Sequence, residues 1–165
     1  VVFLNESGAT VIFDELAAPE PARYQFMLHG LSPFSVDPAG QRLSLQQPHA
    51  GLTVLYLATE PLKLRQWDGF KPAPIRGDFP NHWHVEASTP GKTGEIAVIT
   101  VLLPHKGTQA QTMGAVRLEN SAALGVELVI DGIKTTVAVR KTGSSGAWEL
   151  NGLRSEGSAA VRLGS

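Results

Sequence analysis

The chain has 165 residues, 42% hydrophobic and 18% charged, which is the balance of a globular protein and fits a single domain over 1–165 with a sizeable core. A formal net charge of −1 gives no overall field to draw in nucleic acid or an anionic membrane, and no apolar run approaches the roughly 20 residues that cross a bilayer. With 0 cysteines, disulfides, thiolate metal sites and cysteine nucleophiles are excluded, while the compartment stays open.

Taken in order, nearly every apolar segment is short, β-branched and closed by turn residues. Val1-Val2-Phe3-Leu4 reads as a strand, and Glu6-Ser7-Gly8 turns it into Thr10–Leu16. The chain opens with neither a Met nor a signal-peptide pattern, so the expectation is a fragment or accessory domain of something longer. Ala17–Pro21, with two prolines, is expected to break the chain. Arg23–Leu31 resumes as an extended segment with Tyr24, Phe26 and Leu28 on one face and Gln25, Met27 and His29 on the other. Ser32–Gln41 reads as a Pro/Gly loop, followed by strands over Arg42–Gln47 and Leu52–Ala58.

Glu60–Pro80 has no sustained period, and a modest helical tendency near Thr59–Trp67 has an unconvincing interior. About twenty residues without regular structure inside a compact domain is uncommon, and such loops tend to be functional. His82–Ser88 then alternates as a strand. Glu95–Leu103 is a nearly continuous apolar strand that needs burial on both faces, and Pro104–Gln111 reads as a polar loop. The remainder is a series of hairpins. Ala115–Glu119, Gly125–Ile130, Ile133–Arg140, Ala147–Leu150, Leu153 onward and Ala159–Leu163 are strands, with Asp131-Gly132 and Asn151-Gly152 as two-residue hairpin turns. The fold class is all-β, an antiparallel two-sheet sandwich of jelly-roll kind with little or no helix.

The sharpest local signal is Pro80-Asn81-His82-Trp83-His84-Val85-Glu86-Ala87-Ser88. A period of two puts His82, His84 and Glu86 on one face of a strand, and Trp83, Val85 and Ala87 on the core face. Two imidazoles two residues apart can share a divalent ion. The carboxylate spacing differs from the cupin metal motif, however, and no metal is assigned. A solvent-facing polar row and a sugar-binding groove both fit the same residues. Upstream, Arg65, Trp67, Asp68, Phe70, Lys71, Arg76 and Asp78 suit carbohydrate recognition, since an aromatic ring stacks on a pyranose and Arg and Lys hold carboxylate or sulfate. The plainer alternative is that Trp67 and Phe70 pin a long loop to the sandwich. His29 could face a cleft or be a satisfied strand-end histidine, and either it or the distant His105 could complete a site with His82 and His84 by folding; His105-Lys106 reads as a basic pair in a loop. Asp14 and Glu15 point to opposite faces, which rules against joint acid–base work. No Gly-rich phosphate loop, nucleophile elbow or complete catalytic set is present.

The succession Val1-Val2-Phe3-Leu4, Thr10-Val11-Ile12-Phe13-Asp14-Glu15-Leu16 and Tyr24-Gln25-Phe26-Met27-Leu28-His29 resembles the C-terminal β-sandwich region of heparinase II/III-like polysaccharide lyases. There a valine-rich strand with Asp, an acidic or polar residue and Leu precedes an aromatic strand ending Leu-His. The Ser88-Thr89-Pro90-Gly91-Lys92 turn, with the apolar strand ending Val101-Leu102-Leu103-Pro104, is similar to the same region, so the likeness covers roughly Val1 to His105. The resemblance implies a parent enzyme that joins a helical toroid to β-sandwich domains and cleaves acidic polysaccharides by β-elimination. Its catalytic and zinc-binding residues lie outside this stretch, and none carries over to this sequence.

The expectation is therefore a non-catalytic carbohydrate-binding module, accessory to a polysaccharide lyase. It would hold an acidic polysaccharide with Trp67, Arg65, Lys71 and Arg76, while His82 and His84 line the adjacent sheet face. Two rival readings stay open: a portion of a β-eliminative lyase with His82 or His84 as base near neutral pH, and a purely structural support between domains. The expected partners are the polysaccharide and a missing upstream domain, with no cofactor, nucleic acid or membrane, in a secreted or periplasmic bacterial setting.

Overall fold

The computed structural model describes residues 1–70, 82–108 and 111–164. The strands, in chain order, are β1 (Val2–Leu4), β2 (Ala9–Ala22), β3 (Gln25–Gly30), β4 (Ser35–Asp37), β5 (Arg42–Gln46), β6 (Ala50–Ala58), β7 (Lys63–Asp68), β8 (Trp83–Ser88), β9 (Thr93–Lys106), β10 (Met113–Glu119), β11 (Ala123–Ile130), β12 (Ile133–Arg140), β13 (Trp148–Leu150), β14 (Leu153–Ser155) and β15 (Ala159–Leu163). None of the described residues is helical. The strands make a six-stranded sheet β1-β2-β9-β6-β5-β4, a four-stranded sheet β10-β11-β12-β15, a three-stranded sheet β3-β8-β7 and the hairpin β13-β14. All their pairings are antiparallel.

The apolar run in β9 explains the layering. A strand with apolar side chains on both faces is stable only when both faces are covered. Ile99, Val101 and Leu103 pack with Leu124, Val126, Leu128 and Val137 of the four-stranded sheet. Ile96 and Val98 enter a second core with Val54, Tyr56, Val85 and Ala87. Burying each such side chain contributes about 1.5–3 kcal/mol. The six-stranded sheet is thus a middle layer, with the four-stranded sheet on one side and the three-stranded sheet on the other. The antiparallel sandwich expected from the sequence is what forms, and the three-stranded sheet adds a third layer to the two expected. In the second core the Tyr56 phenol is pushed up to about 12 by burial.

The two Xaa-Gly turns form as read. Asp131 and Gly132 have φ of 49° and 83°, and Asn151 and Gly152 have 49° and 74°, the left-handed pair that a type I′ hairpin needs. The β13-β14 hairpin lays Trp148, Leu150 and Leu153 over Ala123 and Ala138 on the outer face of the four-stranded sheet.

Several boundaries differ from the sequence reading. The prolines of Ala17–Pro21 do not break the chain; they lie within β2, where its register against β9 shifts between Ala17 and Ala22 and a ladder N–H is dispensable. The Ser32–Gln41 loop contains β4. Pro104, His105 and Lys106 finish β9 instead of starting a loop, because they pair with Leu52, Gly51 and Ala50. The largest correction is β7, a strand inside the stretch read as irregular. Its alternation is disguised by Gln66, a polar residue on the inward face. The Gln66 amide accepts from the Phe34 N–H at 2.6 Å and donates to the Phe34 carbonyl at 3.1 Å, which satisfies it there.

Candidate functional site

The register of the three-stranded sheet gathers residues that are far apart in sequence. β8 lies between β3 and β7, so His84 faces His29 on one side and Trp67 on the other. Two residues along, Glu86 faces Met27 and Arg65. The alternate positions Phe26, Leu28, Leu64, Val85 and Ala87 point into the second core. The histidine face is therefore the outer face of the outermost layer.

On that face the rings touch one another. The His84 imidazole is stacked on the Trp67 indole, 10° from parallel with centroids 5.4 Å apart. His29 meets His84 edge-on at 4.6 Å, and Phe70 does so at 5.4 Å. Phe70 also tilts against His82 at 5.4 Å. Enclosed by this ring cluster, His84 is only 8% exposed, and among the described residues its Nε2 has no hydrogen-bond partner. The expectation that His84 and Glu86 form an open polar row is thus corrected. Both are buried because the central strand of a three-stranded sheet is walled in by side chains from its two neighbours.

Arg65 links the ring cluster to the carboxylate. Its guanidinium lies over the Trp67 ring at 4.8 Å, and its Nη2 donates to Glu86 Oε2 at 3.2 Å. Its side chain stays 69% exposed against 11% for Glu86. The guanidinium is consequently a surface cation held over an indole by a buried carboxylate, a geometry that turns its remaining N–H groups toward a ligand. Trp67 itself is half-buried and already engaged by His84 and Arg65, so it serves this face as a platform for protein groups as much as for a sugar. Phe70 closes one side of the His82 and His84 pair.

Of the residues singled out from the sequence, Arg65, Trp67, His82 and His84 come together here. Lys71, Arg76 and Asp78 lie outside the described residues. Glu86 extends the same row, and His29, one of the two distant histidines that could complete a site by folding, joins the cluster; the outward phase it shares with Gln25 and Met27 is its signal in the sequence. Among the described residues, no group of three or more His, Asp or Glu is placed to hold a metal ion. His105 is half-buried elsewhere, with Nδ1 unpartnered among the described residues, and lines a cleft of about 810 Å³ with Lys106, Gln111 and Asp131. Another cleft, of about 720 Å³, has Glu15, Glu119, Lys141 and Thr142 among its lining. Neither includes a residue of the histidine face.

No family model matches this sequence. No curated protein matches it either. Among solved structures, the chain is similar to one described as "Heparinase III-BT4657 gene product, Methylated Lysines", with a TM-score of 0.60 over 81% of this chain at 17% identity. The fold is heparinase-like. The chain spans 22% of the length of that heparinase III, so the likeness is to one part of a much larger protein. At this identity it concerns architecture alone.

Proposed function

We propose that this chain is a non-catalytic β-sandwich module that binds an acidic polysaccharide, accessory to a polysaccharide lyase. The observation that carries this reading is Arg65, held between Trp67 and Glu86 on an open sheet face beside His29, His82 and His84. The exposed flanks of the face, Met27 and His29 on one side and Lys63 and Arg65 on the other, suit a polymer that runs past it, whereas a small metabolite needs an enclosing pocket. The guanidinium fork matches a carboxylate, and the imidazole and indole edges offer polar and apolar contacts to a pyranose. Lys71 and Arg76, eleven and six residues or fewer from His82 in sequence, are proposed as further cationic contacts.

The heparinase-like fold supports the link to a lyase, and the relatively small share of the heparinase III chain supports an accessory role. His84 and Glu86 are enclosed by the ring cluster and by Arg65, which favours binding over β-elimination by this chain alone. Affinity electrophoresis and calorimetry against alginate, heparin, chondroitin and a neutral glucan test the proposal. Retardation by an acidic polymer that Trp67→Ala abolishes is the expected result. No binding to any of the four, or binding indifferent to Trp67→Ala, would remove it.

A structural role between domains has its own observation in favour. Ile133, Val161 and Leu163 are 58%, 43% and 49% exposed at one margin of the four-stranded sheet, more apolar surface than an isolated edge needs. This role is compatible with binding, because that margin is not part of the histidine face.

A further inference from the structure

We infer that this chain pairs with a second copy of itself through the free edge of β15, joining the two four-stranded sheets across a two-fold axis. The inference goes beyond the polysaccharide reading and does not depend on it. β15 ends the sheet β10-β11-β12-β15 and pairs on one side only, with β12. Arg140 donates its backbone N–H to the Ser158 carbonyl at 2.8 Å, and Gly164 donates to the Lys134 carbonyl at 2.7 Å. Hydrogen-bonded positions alternate along an antiparallel ladder. Ala160 and Arg162 therefore turn their backbone groups to β12, while Ala159, Val161 and Leu163 turn theirs to the free edge. The same three side chains lie on the inward face, opposite Val139, Val137 and Thr135, yet they are exposed because the middle sheet does not extend under them.

The other edge of the sheet is protected. On β10 the same alternation points the backbone groups of Met113, Ala115, Arg117 and Glu119 away from β11. There Arg42 Nη2 donates to the Met113 carbonyl at 2.8 Å, and the paired charges of Arg117 and Glu119 stand in the inward row. Such caps and inward charges keep an edge from being extended by another strand. β15 has neither. Its inward row is wholly apolar, with Ile133 exposed at the near end of β12. Its one charged residue, Arg162, faces the other way and donates to the Asn151 carbonyl at 3.0 Å.

A second copy fits this edge in a definite register. With Val161 of one copy opposite Val161 of the other, Ala159 meets Leu163 and Leu163 meets Ala159, small against large on the inward face. Each of these pairs can exchange both of its N–H···O bonds, since all the groups involved point outward. On the opposite face each Arg162 meets Ala160, so no like charges are opposed. A two-fold contact requires a self-complementary patch, and this edge is one.

Sedimentation velocity of the 165-residue chain from about 10 μM to about 1 mM should show a dimer that grows with concentration, because a strand-edge contact falls at the small, weak end of interfaces. Val161→Lys opposes two like charges and should weaken association by about tenfold or more. Ala159→Pro should also weaken it, by removing an N–H that β12 does not use. Val116→Lys, an exposed site on the outward face of β10, should leave association unchanged. Thermal melts show which variants are folded. Single cysteines in this cysteine-free chain read the register, and decide the matter should Lys or Pro cost the fold. Hydrogen-bonded partners lie about 5.5 Å apart at Cα, within disulfide reach. Val161→Cys should thus cross-link to its counterpart, two thiols losing two protons and two electrons to oxidised glutathione, while Leu163→Cys should not. A chain that stays monomeric throughout overturns the inference and leaves this margin to another domain of a longer protein. A dimer that folded Val161→Lys and Ala159→Pro leave intact, or Leu163→Cys cross-linking as fast as Val161→Cys, overturns it as well.

Discussion

The imidazole of His84 lies 10° from parallel with the indole of Trp67, directly across the β7–β8 ladder. Neither ring is free to turn without exposing the other, because His29 and Phe70 close the cluster on other sides. Trp67→Ala is therefore expected to do two things. It abolishes polysaccharide retardation, and it lowers stability by about 1–2 kcal/mol through loss of the ring pair. Urea denaturation followed by circular dichroism gives the second number. A stability loss well above this range would mean that Trp67 holds the whole sheet, and binding data on the variant would then say little about the ligand.

Arg117 is expected to be the most costly cation to remove. It projects from the four-stranded sheet and donates to the Leu57 carbonyl at 2.9 Å and the Ala97 carbonyl at 3.2 Å, both in the middle sheet. It also pairs with Glu119 at 2.7 Å. Arg117→Met keeps the aliphatic volume but takes a donor from the Leu57 carbonyl, leaves the Ala97 carbonyl with the Thr59 N–H, and removes the ion pair with Glu119, a loss of about 1–3 kcal/mol. The midpoint of urea unfolding reads it directly. A change under about 0.5 kcal/mol would show that water replaces the guanidinium without penalty.

Glu119 supplies a pH signature in the same cluster. Burial raises its proton affinity, but hydrogen bonds from Lys141 and Arg117 outweigh this and hold its carboxyl below the usual value of 4.5. A carboxyl with a depressed folded value stabilises the protein above about pH 4.5 and loses that contribution as pH falls through the folded value. Glu119→Gln should lower the melting temperature at pH 7, with the gap to the parent protein narrowing toward pH 3. A gap that stays constant would exclude the ion pairs as its cause.

Asp14 behaves in the opposite sense. Burial raises its carboxyl above the usual 3.8. The folded state then binds a proton more tightly than the unfolded one, so stability falls as pH rises from about 3.8 through the folded value and stays lower beyond it. Asp14→Asn should raise the melting temperature at pH 7, and the gain should fade at pH 3. A variant less stable than the parent at pH 7 would reveal a stabilising role for the charge.

Gly125 sits under the β13-β14 hairpin, where an added Cβ would lie 2.7 Å from Leu150 Cδ2 and 2.9 Å from the Val137 carbonyl. Gly125→Ala must lift the hairpin or push the strand, at about 1–3 kcal/mol. Trp148, buried with its Nε1 donating to the Gly157 carbonyl at 2.7 Å, should report the displacement as a red-shifted emission. Unchanged emission together with unchanged stability would show that Leu150 moves aside freely.

The fold was legible where local signals agree. The Asp131-Gly132 and Asn151-Gly152 turns, the doubly apolar β9 and the outward phase of His82, His84 and Glu86 are all properties of a few consecutive residues. What could not be read is what those residues meet. Nothing local pairs His29 with His84 across 55 positions, or Arg65 with Glu86 across 21. Register is a tertiary choice. β7 was hidden for a different reason: Pro and Gly around it suggested a loop, and the inward Gln66 broke the hydrophobic period while serving the Phe34 backbone. The prolines of β2 misled in the reverse direction, because at a register shift a missing N–H costs no ladder bond.

β9 lends one face to each hydrophobic core, so the layers have no independent route to opening. Amide hydrogens of Val126 and Val137 should exchange with solvent only through the same global event that frees those of Val85. A polymer bound on the outermost sheet would then slow exchange in the farthest one, two layers away, in proportion to its occupancy and without touching a single atom there.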